Sequence, residues 1–345
     1  MRVFIVGVNG FIGNALARRI LGELPWSVVG IDLYQDNIAD LRGHPAFEFL
    51  QGDLTQEQDW MESQIQRCDI LVPLAAIATP KSYIADPLGV FELAFTENLK
   101  LIKLASKYGK RVIHPSTSEV YGMTPDAEFD EESSNLVLGP IHKMRWIYSC
   151  SKQLLDRIIY AYGIKHGLNY TIFRPFNWVG PRLDRLGAAG DHKHRVVTQF
   201  ISDILGDRKI QIVGDGNQRR SFLYIEDGID ALMKILLDSG SSANQQIFNI
   251  GNPHNDRSIY ELAALLIRLY AETPHGQRRP FTAGIERVPG EAFYGVGYQD
   301  IERRRPSIQA AGARLGWTPQ TNLEDTMRRT LAWFLTESSG RSDEA

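Results

Sequence analysis

The chain opens with Arg2-Val3-Phe4-Ile5-Val6, a run with the character of a buried strand, and passes at once into Gly7-Val8-Asn9-Gly10-Phe11-Ile12-Gly13. The stretch from Asn14 to Leu21 then reads as a helix. Strand, glycine turn and helix in immediate succession are the context of a dinucleotide-binding fingerprint. Gly7, Gly10 and Gly13 permit the tight turn and let the backbone and the helix N-terminus approach a pyrophosphate, with Phe11 and Ile12 in the same cofactor-facing turn. The next apolar run, Ser27 to Ile31, ends in Asp32, nineteen residues after Gly13. A carboxylate there accepts hydrogen bonds from both hydroxyls of an adenosine ribose and repels a 2′-phosphate. Leu33 and Tyr34 follow with no adjacent arginine, so the expected cofactor is NAD rather than NADP.

Downstream, apolar strands alternate with helical stretches: a strand over Cys68 to Leu74, a helix over Phe91 to Tyr108, a strand over Arg111 to Pro115. This alternation predicts an α/β fold, a Rossmann-type doubly wound parallel sheet with ligands at the carboxyl ends of its strands. A smaller C-terminal substrate-binding lobe is expected beside it. Residues 1–180 would form the NAD-binding domain, with a return segment over 222–252. Residues 181–221 and 253–335 would form the lobe, and 336–345 a disordered polar tail. A chain of 345 residues, 43% of them hydrophobic, supplies core enough for both parts.

The net charge of −3 gives no reason to expect nucleic acid or an anionic membrane as a partner. Cys68 and Cys150 form neither a disulfide framework nor a metal spacing, which suits a reducing compartment. His192-Lys193-His194 has no carboxylate or cysteine spaced to complete a metal site and reads as a charged loop. With no secretory h-region and no apolar run long enough for a bilayer, a soluble cytoplasmic protein is expected.

The chemistry concentrates in two stretches, Pro115-Ser116-Thr117-Ser118-Glu119-Val120-Tyr121-Gly122 and Tyr148-Ser149-Cys150-Ser151-Lys152. On a helix, Tyr148 and Lys152 share one face. An ammonium beside a phenol favours the phenolate and lowers a pKa that starts near ~10. Tyr148 is therefore the expected base for a sugar hydroxyl that loses hydride from the same carbon.

Together these features resemble the extended short-chain dehydrogenase/reductase family of nucleotide-sugar enzymes. Leu74-Ala75-Ala76-Ile77-Ala78-Thr79-Pro80, Arg145-Trp146-Ile147-Tyr148, Arg174 to Arg182 and Tyr298-Gln299-Asp300-Ile301-Glu302-Arg303-Arg304 are similar to its ArnA-type UDP-glucuronate oxidative decarboxylases. The likeness runs from about Met1 to Phe334.

The resemblance implies that Asp53 and Leu54 touch the adenine, that Leu74, Ala75, Ala76 and Pro175 line the cofactor, and that Tyr148 and Lys152 act with Thr117 beside it. It implies Ser118, Glu119 and Arg304 in the decarboxylation step. Arg145, Asn177, Arg195, Arg220, Tyr298 and Arg304 would bind UDP-glucuronate, and the protein would be a homodimer. UDP-apiose/UDP-xylose synthases carry cysteines where this chain has Ala78 and Ser118, so ring contraction is not expected. The alternatives left open are a UDP-xylose synthase that completes the hydride cycle, a bifunctional enzyme, a UDP-glucuronate 4-epimerase and a non-catalytic NAD sensor. The chain starts at the dinucleotide-binding strand, so the formyltransferase activity that accompanies some ArnA-type enzymes is not expected.

Overall fold

The computed structural model describes residues 1–186, 194–238 and 242–342, with side chains described as far as residue 337. β1 (Arg2–Val6), α1 (Phe11–Glu23), β2 (Ser27–Asp32), β3 (Phe47–Gln51), α2 (Gln58–Arg67) and β4 (Ile70–Pro73) open the chain. Then come α3 (Pro80–Ala85), α4 (Pro87–Phe91), a π turn over Glu92–Glu97, and α5 (Asn98–Lys107). β5 (Arg111–Pro115), a 3-10 turn over Ser118–Tyr121, α6 (Trp146–His166) and β6 (Tyr170–Pro175) follow.

Beyond these, β7 (Trp178–Val179), α7 (Val196–Leu205), β8 (Ile210–Val213), β9 (Arg219–Ser221) and β10 (Leu223–Tyr224) leave the main sheet. α8 (Ile225–Leu237) and β11 (Gln246–Ile250) return to it. The last part holds β12 (Asp256–Ser258), α9 (Ile259–Ala271), α10 (Pro274–Arg278), β13 (Ile285–Val288) and α11 (Gly290–Tyr294). β14 (Arg303–Arg304), α12 (Gln309–Leu315) and α13 (Leu323–Ser342) complete it.

The central sheet has seven parallel strands in the order β11-β6-β5-β4-β1-β2-β3, the Rossmann-type architecture. Its two faces are written into each strand by the twofold alternation of side chains. Val3 and Ile5 of β1 enter one core with Leu16 and Ile20 of α1 and the buried face of α8. Phe4 and Val6 enter the opposite core with Met61 and Ile65 of α2, Leu101 and Ile102 of α5, and Leu155 and Ile159 of α6. The strand order reverses between β1 and β4, and this switch point opens a crevice at their carboxyl ends.

Three local differences from the sequence reading have physical causes. The strand expected over Cys68 to Leu74 is confined to Ile70–Pro73, because the Cys68 N–H closes the end of α2 on Gln64 O. The helical run from Phe91 contains the π turn, whose Leu93 carbonyl is satisfied by Asn98 Nδ2 at 2.7 Å. α13 runs on to Ser342, into the segment expected as a loose tail. Its buried Leu323, Met327, Leu331 and Phe334 anchor the helix, and extending a formed helix costs little.

Candidate active site

A cavity of about 510 Å³ lies at the carboxyl ends of the strands. The glycine turn forms one end of its wall. Gly7 has φ +87°, and a Cβ there would lie 2.8 Å from the Ala75 nitrogen. At Gly13 a Cβ would lie 2.3 Å from Gly7 O, so the third glycine is what lets α1 pack against the turn. No side chain caps α1 and no acid occupies its first turn, so its leading N–H groups and the positive end of its dipole face the cavity beside Gly10, Phe11 and Ile12. This cradle suits a pyrophosphate. Asp32, at the end of β2, accepts hydrogen bonds from the N–H groups of Asn9 (3.0 Å) and Tyr34 (3.2 Å). Burial, against these hydrogen bonds, raises its carboxyl above the ordinary range.

Asn9 also ties the turn to Asp36 and Asn37, a connection the sequence did not announce. Asp53 accepts from the N–H and hydroxyl of Thr55, both at 2.8 Å, and neither it nor Leu54 lines the cavity. Leu74, Ala76 and Pro175 do line it, whereas Ala75 contributes its backbone beneath Gly7.

The middle of the wall brings together Thr117, Ser118, Glu119, Tyr148 and Lys152. Thr117 caps the 3-10 turn by accepting the Glu119 N–H, which fixes Ser118 and Glu119 directly after the end of β5. The Tyr148 ring stacks on Tyr83 of α3 with centroids 4.8 Å apart. Lys152 Nζ donates to Pro115 O at 2.9 Å.

Here one electrostatic expectation is corrected. Burial, followed by the Glu119 and Asp156 carboxylates, pushes the Tyr148 phenol well above its ordinary pKa, and only a hydrogen bond with Thr117 pulls the other way. Lys152 is itself pulled down to about 8 by burial, with Asp156 alone opposing that shift.

Beyond Tyr148 lies a buried charge cluster. Glu119 accepts from Arg145 at 3.2 and 3.4 Å and from Arg304 at 3.2 Å. Arg220 donates to Asp300 at 2.6 Å and to Ile301 O at 2.7 Å. The pairing of β14 with β9 sets this geometry, since Arg304 is the direct register partner of Arg220. Burial pulls the Arg145 guanidinium down, but Glu119, Tyr298 and Asp300 more than offset it. Burial and its neighbour Arg220 bring Arg304 down to about 10, still charged at neutral pH. Three arginines against two carboxylates leave this group of five one positive charge in excess.

The remaining expected residues are also at the cavity. Asn177, at φ +40°, anchors its amide on Ser221 O at 3.1 Å. Arg195 is oriented by Asp184 at 2.8 Å. Tyr298 stacks on Tyr294 at 4.1 Å, with the Arg145 guanidinium 6.0 Å from its ring centre. Sequence reasoning missed Tyr83 and Tyr294, and it did not assign Asp300 a place. The Thr79-Pro80 start of a helix was the one local signal for Tyr83, whereas Tyr294 and Asp300 depend on tertiary packing. His192 and Lys193 lie outside the described residues, while His194 lines the cavity. Among the described residues no group of three His, Cys, Asp or Glu is placed to hold a metal. Among them, too, no helix is long and apolar enough to cross a membrane.

Residues 3–251 match the model of the NAD dependent epimerase/dehydratase family, and the chain belongs to that family. It is thus an NAD-dependent enzyme of a family that acts on nucleotide sugars. Among solved structures it is similar to the PbgP3 protein of Burkholderia pseudomallei, with 43% identity and a TM-score of 0.87 over 98% of this chain and 97% of that one. The UDP-glucuronic acid 4-epimerase of Bacillus cereus, solved with UDP-glucuronic acid and NAD, shares the fold at 22% identity and TM-score 0.81, covering 98% and 100% of the two chains. So does the dTDP-glucose 4,6-dehydratase of Bacillus anthracis, solved with NAD, at 21% identity and TM-score 0.78, covering 98% of each.

Proposed function

We propose that this enzyme oxidises UDP-glucuronate at C4 and removes its C6 carboxylate, giving UDP-4-keto-pentose. The observation that carries the reading is Glu119 held between Arg145 and Arg304 in the wall that also holds Tyr148 and Thr117. A site for a neutral sugar has no need of two buried guanidiniums there. A site that must seat a second carboxylate next to the reacting carbon does. The excess positive charge of the cluster suits one such anion.

Gly7, Gly10 and Gly13 with the α1 N-terminus would hold the cofactor pyrophosphate, and Asp32 the adenosine ribose. Bound NAD supplies an acceptor for the hydride that leaves C4. Tyr148 takes the C4 hydroxyl proton, and Thr117 donates to the same oxygen as it becomes a ketone. Tyr148 accepts that proton as its phenolate, a form that burial disfavours in the protein alone and that the positive charge of the Lys152 ammonium, one turn further along α6, favours at the occupied site. The ketone places the carboxylate β to a carbonyl. The C5–C6 bond then breaks with its electron pair moving into an enolate at C4, CO2 leaves, and a proton is added at C5. Arg304 and Arg145 orient the carboxylate and offset the developing enolate charge. Ser118 and Glu119 face the same carbons. Arg195, Arg220 and Asn177 would take the diphosphate, and Tyr298 the neighbouring sugar.

The test is UDP-glucuronate labelled with 13C at C6, incubated with NAD. The label should appear as CO2 and bicarbonate. Label that stays in the sugar, with inversion at C4, would replace this reading by epimerisation.

A further inference from the structure

The catalytic helix carries a third ionisable residue on the stripe of Tyr148 and Lys152. Asp156, one turn beyond the lysine, is 5% exposed. Its Oδ2 accepts from Ser116 Oγ at 2.7 Å and from Arg174 Nη2 at 3.3 Å. Arg174 is itself fixed by Tyr121 Oη at 2.9 Å, which in turn donates to Asn249 at 2.8 Å. The carboxylate therefore sits in an ordered network joining α6, β5, β6 and β11. Two bonds tie the end of β5 to α6: Lys152 to Pro115 O, and Ser116 to Asp156. Thr117, the next residue, takes its place from that clamp.

We propose that Asp156 is a positioning residue for the reaction: through Ser116 it fixes Thr117 against Tyr148, and its negative charge keeps the Lys152 ammonium protonated inside the protein. Lys152 is 1% exposed, and its hydrogen bond to Pro115 O is to a neutral acceptor, so holding the charge there requires a counter-ion. The other titratable groups of this neighbourhood are Tyr148 on α6, His114 on β5, Glu119 and Tyr121 on the 3-10 turn, Tyr83 on α3, and Tyr170 and Arg174 on β6. His114 Nε2 stands 4.0 Å from Asp156 Oδ1 and is fully buried. Burial and the nearby Lys152 hold it neutral, and an imidazole can supply only positive charge, so it is no counter-ion for the lysine. Of the two carboxylates, Glu119 lies between two arginines, whereas Asp156 meets one, Arg174, through Oδ2 and keeps a buried Oδ1 with no hydrogen-bond partner on the helix stripe of the lysine.

The inference rests on Lys152 serving the proposed oxidation, but its test does not need substrate. The 13Cε signal of Lys152, assigned by its loss in Lys152→Met, is titrated in the NAD-free protein. Wild type should titrate near pH 8. Asp156→Asn should titrate at least about one pH unit lower, a tenfold change in the ionisation constant. Arg174→Gln, which strips Asp156 of its cationic partner, should move the titration upward and serves if the first variant does not fold. In turnover, Asp156→Asn should shift the alkaline limb of kcat/KM to lower pH while changing KM for the sugar nucleotide little. Ser116→Ala should lower kcat without moving that limb. A Lys152 titration unmoved in the charge variants, or an Asp156→Asn pH profile that overlays wild type after scaling, would reduce Asp156 to a structural residue. Wild type inert toward UDP-glucuronate would instead overturn the proposed function and leave the titration result standing.

Discussion

The two ends of the cavity are built on different principles. The end proposed for the cofactor is backbone, a glycine turn and a helix N-terminus, with the Asp32 carboxylate hydrogen-bonded behind the turn to Asn9, all within the first 32 residues. The end proposed for the substrate is side chains drawn from Glu119, Arg145, Arg220, Asp300 and Arg304, which meet only because β14 pairs with β9 and the 3-10 turn follows β5. The cofactor end is hard to alter without disturbing the fold, while the substrate end is a set of charges that can change one at a time. A family can therefore keep one cofactor while its substrates and reactions diverge.

The sharpest way to break this division is at the residue that serves both ends. Tyr148→Phe should lower NADH formation by about a thousandfold or more while UDP-glucuronate still binds, checked by absorbance and calorimetry. Retained turnover would remove the phenol from the proton transfer. Next, Glu119→Gln and Arg304→Met should each cut CO2 release about a hundredfold and leave NAD affinity unchanged. Loss of NAD binding in either would mean the two ends are not separable.

The complementary change is Gly13→Ala, whose Cβ would collide with Gly7 O at 2.3 Å. It should weaken NAD binding by at least about tenfold through the displaced turn, read by fluorescence titration. Asp32→Ala should relax the preference for NAD over NADP by about tenfold, since it removes the carboxylate that opposes a 2′-phosphate. An unchanged ratio would place discrimination at Asp36 or its neighbours.

The smallest effect is on stability. Lys152 loses its proton near pH 8 in the folded protein and near its ordinary 10.5 when unfolded. Between those values the unfolded chain binds more protons, so folding gains stability as pH rises through that window. Lys152→Met should abolish the gain, about 2 kcal/mol by urea unfolding at pH 7 and 10.

The same contrast explains what the sequence disclosed. The glycine turn, Asp32 and the Tyr148–Lys152 spacing are local patterns, and so are the alternating runs that gave the Rossmann-type sheet. Arg145, Arg220 and Arg304 carry no local mark that separates them from surface arginines, and only likeness to a family singled them out. Tyr83 and Asp300 depend on how α3 and the segment after α11 fold over the crevice. The burial that raises the Tyr148 phenol has no local mark, because helix spacing says who shares a face, not how deeply that face is buried.

The central claim is that the charged end of the cavity turns C4 oxidation into loss of a carboxylate. The most direct test is incubation with UDP-glucuronate and NAD, following NADH absorbance and nucleotide-sugar mass together. NADH accumulating with the mass of UDP-4-keto-pentose is the predicted result. UDP-xylose with little net NADH would keep the decarboxylation but show that hydride returns to C4 before release. A sugar nucleotide that keeps all its carbons would contradict the account.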